Sequence, residues 1–191
     1  MRMKMRMRMM KTMAMTMATL ALALAFAPAL PAQTPDARPE DVASPETIIA
    51  AAYEAISRAP GESFDWDRFR SLYVPGALMI PNTEQSGGEF TVHTVEEFND
   101  WVDAWYAENA PIGGEDDQGF VEEGIHSVTN RYGDVVQVMS TYVKRFHGSD
   151  QVLGRGINAF TLVFDGDRWW IASTAWDEEN GAGPIPAEYL P

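Results

Sequence analysis

The 191-residue chain contains no cysteine. That excludes disulfides, thiol nucleophiles, thiolate metal sites and a lipid attached through an N-terminal cysteine. Histidine is scarce: His93, His126 and His147 stand far apart and match no zinc-binding spacing. No metal and no cofactor is expected. Positive charge is also short, with 14 basic residues against 28 acidic ones and a formal charge of −14. Such a surface repels nucleic-acid phosphates and anionic lipid, so nucleic acid is not expected as a partner. One long apolar run occurs, and it lies at the N-terminus.

That run, TMAMTMATLALALAFAPAL, follows MRMKMRMRMMK, which carries Arg2, Lys4, Arg6, Arg8 and Lys11 and no acid. A basic start, an apolar middle and a small-residue exit form a secretory signal peptide. Cleavage is expected after Ala32, although Leu30 is larger than the residue usual at its position. The run is barely long enough to cross a bilayer and Pro28 interrupts it; a retained single-span anchor is the alternative. Loss of residues 1–32 removes five of the 14 basic residues and none of the 28 acids, taking the formal charge to −19. The mature protein is expected in the periplasm or outside the cell, without stable membrane insertion. The remainder can bury a core without disulfides.

Residues 33–44 are rich in proline and small polar residues and predict a flexible linker. A single domain, residues 45–191, follows. Ser44-Pro45-Glu46 combines an N-cap, a proline at the first helical position and an acid in the first turn. Ile48, Ile49, Ala52, Tyr53 and Ile56 continue it at helical spacing. Trp66, Phe69, Leu72 and Tyr73 predict a short second helix stopped by Pro75-Gly76. ALMIP, residues 77–81, reads as a strand, with Glu89–His93 as its return. Thr94-Val95-Glu96-Glu97 is a capping box opening a third helix striped by Phe98, Trp101, Val102 and Trp105.

From Phe120 the period falls to two. Four strands are expected near 120–131, 134–147, 153–164 and 168–178, joined by glycine-containing hairpin turns. The last begins DGDRWW, and neighbours on a strand face opposite sides, so Trp169 and Trp170 need different environments. The tail GAGPIPAEYLP is too rich in proline and glycine for regular structure. Together these elements predict an α+β fold: three N-terminal helices packed in the concave face of a strongly curved, mainly antiparallel sheet.

The order of elements over residues 45–180 resembles the nuclear transport factor 2-like superfamily, a cone-shaped fold shared by ketosteroid isomerases, polyketide cyclases and scytalone dehydratase. STYVKRF, RGINAFTLVFDGDRWWIASTAWDEE and PIPAEYLP are similar to an exported bacterial subgroup of it. The resemblance implies a small-molecule pocket in the open end of the cone and leaves the chemistry open. In ketosteroid isomerases a carboxylate base sits near the end of the first strand. Here Ile80 and Pro81 hold that place, Phe160 falls near the second acid, and only a helical tyrosine, Tyr53, matches. Steroid isomerisation is not expected. A His–Asp pair of the scytalone dehydratase kind could be imitated by His126 and Asp177.

Strand alternation names the candidates. An inward set of Gly156, Asn158, Phe160, Leu162 and Phe164 makes Asn158 the lone polar inward side chain of its strand. An inward set of Trp169, Ile171, Ser173, Ala175 and Asp177 points Asp177 into the mouth and leaves Trp170, Thr174 and Trp176 outside. Val136, Val138, Ser140 and Tyr142 form a third set. The parity of residues 120–131, which carry Glu122 and His126, stays open. The expected cavity has Tyr53, Trp105 and Tyr142 as walls and Glu122, His126, Asn158 and Asp177 as polar groups. Each has a plainer structural role open to it: Tyr53 as core, Asn158 as a backbone partner, Trp101 and Trp105 as packing, Asp177 as a solvated strand end.

Three functions follow from this reading. One is an exported protein binding a small apolar or aromatic ligand. Another is a cofactor-independent isomerase, dehydratase or cyclase in which Asp177 or His126 moves a proton beside Tyr53 or Tyr142. The third is an accessory module without ligand. A homodimer through the convex face, anchored by Trp170 and Trp176, is expected under each.

Overall fold

Ser44 Oγ accepts the Thr47 backbone N–H at 3.2 Å while Thr47 Oγ1 accepts that of Ser44 at 3.0 Å. With Pro45 at the first position, this starts helix α1, Pro45–Ala55, at the predicted residue. Asp65 caps the one-and-a-half-turn helix α2, Trp66–Ser71, through the Arg68 N–H. Thr94 and Glu97 cap the long helix α3, Val95–Asn109, reciprocally. The strands are β1 (Tyr73–Ile80), β2 (Val121–Tyr132), β3 (Val135–Arg145), β4 (Val152–Phe164) and β5 (Trp169–Glu178). A one-turn helix α4, Glu179–Ala182, follows. This computed structural model describes residues 34–191. The expected leader and its cleavage point lie outside the described residues.

The sheet order is β1-β5-β4-β3-β2, antiparallel except for the parallel β1–β5 pair. It is curved and unclosed. Its concave face and the helices enclose a core centred on Ile48, Leu72, Val136, Leu162 and Ile171, each fully buried. Removing a side chain such as Leu162 leaves a void costing about 3 kcal/mol.

Five expectations are corrected. The second helix ends at Ser71, and Tyr73 already belongs to β1. Pro75-Gly76 lies within that strand, where the register with β5 breaks; Gly76 has φ +80°, and the break spares proline a ladder partner. The return strand shrinks to one bridge, Met79 to His93. Residues 39–42 of the expected linker form a 3-10 turn with Asp41 and Val42 buried. Arg68 holds Asp41 bidentately at 2.7 and 2.8 Å and also donates to Glu54, and this pairing keeps the Asp41 carboxyl below its usual range. The tail is partly regular, with α4 and a 3-10 turn at Ala187–Tyr189. It lies against β2 and β3 on the convex side: Thr141 Oγ1 donates to the Tyr189 carbonyl at 2.5 Å and Ile185 is buried.

The two neighbouring tryptophans meet different surroundings, as alternation requires. Trp169 is buried against Phe164, with the Arg131 guanidinium 5.1 Å from its ring. Trp170 faces out beneath the Arg168 guanidinium at 3.7 Å, and its indole N–H donates to Asp165 at 2.6 Å. Asp165 also accepts the N–H groups of Asp167 and Arg168. One carboxylate thus closes the turn and satisfies the outer indole.

Candidate functional site

Two extra residues in the sheet decide which side chains look inward. On β5, Ile171 pairs with Leu162 and Ser173 with Thr161, so Ala172 is unmatched. Such a bulge shifts the alternation by one. Trp169 and Ile171 face the core before it; Thr174, Trp176 and Glu178 face inward after it. On β2, Gly124 pairs with Tyr142 and His126 with Thr141, leaving Ile125 unmatched. Phe120 and Glu122 therefore line the interior, while His126 turns to the other face.

The result is a cavity of about 420 Å³ between α1, α2, α3 and the concave sheet. Its walls are mostly aromatic: Phe64, Trp66, Phe98, Trp101, Trp105, Tyr106 and Trp176 surround Tyr53, Tyr142 and Phe160. Phe98 and Trp176 meet edge to face at 5.5 Å, and Trp101 stacks on His93. The floor is completed by close approaches over glycine. A Cβ on Gly124 would stand 2.8 Å from the Tyr53 ring, and one on Gly156 would stand 2.5 Å from the Tyr142 hydroxyl. Only glycine lets these two tyrosines lie on the sheet.

Polar groups form two sets within this apolar wall. In the first, Asn158 Nδ2 donates to Glu122 Oε1 at 2.9 Å and to the Tyr53 hydroxyl at 3.2 Å. Tyr53 in turn donates to Ser140 Oγ at 2.8 Å. In the second, Glu178 Oε1 accepts from Lys144 Nζ, from Gln85 Nε2 at 2.5 Å and from the Tyr142 hydroxyl at 3.3 Å. Gln85 Oε1 accepts the Trp176 indole N–H at 2.7 Å.

The electrostatics follow from these surroundings. Burial pushes the Glu122 carboxyl up to about 7; the Asn158 hydrogen bond and Lys144 oppose this, and the charge of Glu178 adds to it. Glu122 keeps partial exposure as a residue, but protein crowds its carboxyl and desolvation dominates. The Tyr53 and Tyr142 hydroxyls are pushed well above the ordinary phenol range, by burial first and by the neighbouring carboxylates second. They serve as hydrogen-bond donors and not as phenolates.

Beside the cavity, the loop before β2 is held by a buried ion pair. Arg58 meets Asp117 at 2.9 Å and lies over the Tyr106 ring at 4.9 Å. Asp117 also accepts the N–H groups of Gly61, Gly113 and Gly119, and with Arg58 these hold its carboxyl far below the usual range. A second hollow of about 460 Å³, between α1 and β2, shares Tyr53 and Glu122 with the first. Among the described residues no group of His, Asp and Glu is arranged to hold a metal. No described helix is long and apolar enough to cross a membrane.

Tyr53, Trp105, Glu122, Tyr142 and Asn158 thus come together in one cavity. Asp177 and His126 do not. Asp177 is exposed and accepts the Glu178 backbone N–H at 2.8 Å; the β5 bulge gives its expected place to Glu178. His126 is removed by the β2 bulge, so it forms no pair with Asp177. Trp176, expected outside, is a cavity wall. Arg155, opposite in parity to Gly156 and Asn158 on β4, pairs with Glu179 at 2.9 and 3.1 Å. Sequence reasoning missed Glu178, Lys144 and Gln85. Lys144 had a signal, since it continues the even set that ends in Tyr142. Gln85 had none, because it arrives from the loop after β1.

No family model and no curated protein matches the sequence. Solved structures match the fold. A protein of unknown function with a cystatin-like fold from Nostoc punctiforme superposes with a TM-score of 0.54 at 9% identity, covering 76% of this chain and 90% of its own. A nuclear transport factor 2-like protein of unknown function from Pseudomonas putida gives a TM-score of 0.52 at 10% identity, covering 76% and 88%. The helices, the curved open sheet and these superpositions agree: the chain has the nuclear transport factor 2-like fold.

Proposed function

We propose that this is an exported protein that binds a small, largely apolar or aromatic molecule in the cavity between the helices and the concave sheet. The observation that carries the reading is the cavity itself: about 420 Å³ walled by aromatic rings with a few convergent polar groups. Pockets of that size and lining suit small molecules. The basic and apolar leader supports export. With Trp176 inside the cavity, Trp170 alone remains of the two anchors expected for a convex-face homodimer. Native mass spectrometry of protein taken from its own compartment is the test. A retained small mass, released on denaturation, is expected. A bare protein that also gives no thermal shift across an aromatic metabolite panel would contradict the reading.

One observation favours a second reading, that of a proton-transfer catalyst. Glu122, at about 7, shares the Asn158 amide with the Tyr53 hydroxyl. A base poised near neutrality beside a hydroxyl is what removal of a proton next to a carbonyl requires. In this reading Glu122 takes the role that Asp177 and His126 were expected to fill. Exchange of α-hydrogens for deuterium in a panel of ketones, followed by NMR, would support it if Glu122→Gln abolished the exchange.

A further inference from the structure

The cavity's polar atoms are unequally used. Around Glu122 the donors are matched: both Asn158 amide hydrogens go to Tyr53 and Glu122, and the Tyr53 hydroxyl goes to Ser140. Gln85 Nε2 and the Tyr142 hydroxyl both go to Glu178, and the charge of Lys144 is cancelled there as well. The Trp101 and Trp105 indole N–H groups stand free, among the described residues, elsewhere on the wall; beside Glu122 what remains is acceptor capacity. Among the described residues the Glu122 carboxyl accepts one hydrogen bond, at Oε1, and Oε2 has no partner. That oxygen is not sealed inside protein either, since the fully enclosed side-chain atoms without partners are Arg58 Nε and the two amide atoms of Asn99. With Glu122 ionised, two carboxylates and one ammonium leave the cavity one negative charge over. The surrounding walls present aromatic faces, which attract cations.

We propose that the molecule bound in this cavity carries a positively charged amine, lodged against Glu122 and framed by the aromatic walls. This rests on the binding reading above and adds the ligand's charge. An ammonium group would supply the donor that Glu122 Oε2 lacks and cancel the leftover charge. A neutral ligand would leave that charge uncompensated, and an anion would add a second one beside it. Binding of an amine is then linked to the ionisation of Glu122. The groups facing that carboxyl are Tyr53 from α1, Tyr73 from β1, Tyr142 and Lys144 from β3, Asn158 from β4 and Glu178 from β5. Of these Lys144 alone is cationic, and Glu178 occupies it.

Three probes of one shape test this: 2-phenylethylamine, 2-phenylethanol and 3-phenylpropanoate, titrated while tryptophan fluorescence is read. Trp66, Trp101, Trp105 and Trp176 line this cavity and no tryptophan lines the second hollow, so the signal reports the right site. At pH 8 the amine is expected to bind about tenfold more tightly than the alcohol, the usual gain of a charge-assisted hydrogen bond. That preference should shrink toward pH 5.5 as Glu122 takes up a proton, and disappear in Glu122→Gln. Equal or tighter binding of the alcohol or the carboxylate at pH 8 would overturn the charge assignment and leave the binding reading standing. So would a preference that survives Glu122→Gln. No response to any of the three probes would overturn both.

Discussion

The two carboxylates of the cavity stand on strands of one sheet and differ in almost everything else. Glu178 meets an ammonium, an amide and a phenol; Glu122 meets one amide. A desolvated charge with full partners is a structural element, since the partners replace the water it gave up. A desolvated charge with one partner is held at a cost to the fold, and such a group is a candidate for ligand contact or proton transfer. The comparison teaches that the count of partners, and not burial, separates the two roles.

The largest way to break the comparison is to strip Glu178. Lys144→Met leaves a nearly buried carboxylate without its countercharge, and a loss of about 3 kcal/mol is expected in chemical denaturation. A loss below about 1 kcal/mol, the range of exposed pairs, would mean that Glu178 is solvated and not structural. The opposite sign is expected at the other carboxylate. Glu122 has a folded value of about 7, above the ordinary carboxylate value. It stabilises the fold fully only below its unfolded value, and that contribution is lost as pH rises through about 7. Glu122→Gln should therefore gain on the order of 2 kcal/mol over the parent at pH 8 and little at pH 4.5. Paired melting curves at the two pH values check this.

Smaller effects sharpen the first set. Tyr53→Phe removes the hydroxyl that joins Asn158 to Ser140 and should cost about 1 kcal/mol. Asn158→Leu removes the one hydrogen bond that favours the Glu122 anion. It should raise the Glu122 titration midpoint further, and a fall on NMR titration would show that Asn158 is not its partner in solution.

Much of this was legible beforehand, and the part that was not has one cause. Caps at Ser44 and Thr94, the apolar stripe of α1 and the alternation of β3 and β4 each depend on neighbours a few residues away, so they can be read locally. Tyr53, Tyr142 and Asn158 were found that way. A bulge depends on how two strands meet, and neither Ile125 nor Ala172 marks itself in the sequence. One unmatched residue on β5 exchanged Asp177 for Glu178 and moved Trp176 from surface to cavity. Another on β2 separated Glu122 from His126. The linker was misread for a similar reason, because the partner that orders Asp41 is Arg68, 27 residues onward.

The most direct measurement is the titration of the Glu122 side chain, followed through its carboxyl carbon by NMR. Its assignment comes from the Glu122→Gln variant. A midpoint near 7 is predicted, falling when 2-phenylethylamine is added. A midpoint at the ordinary glutamate value, unmoved by the amine, would contradict the claim that this carboxylate sits in the cavity without a countercharge.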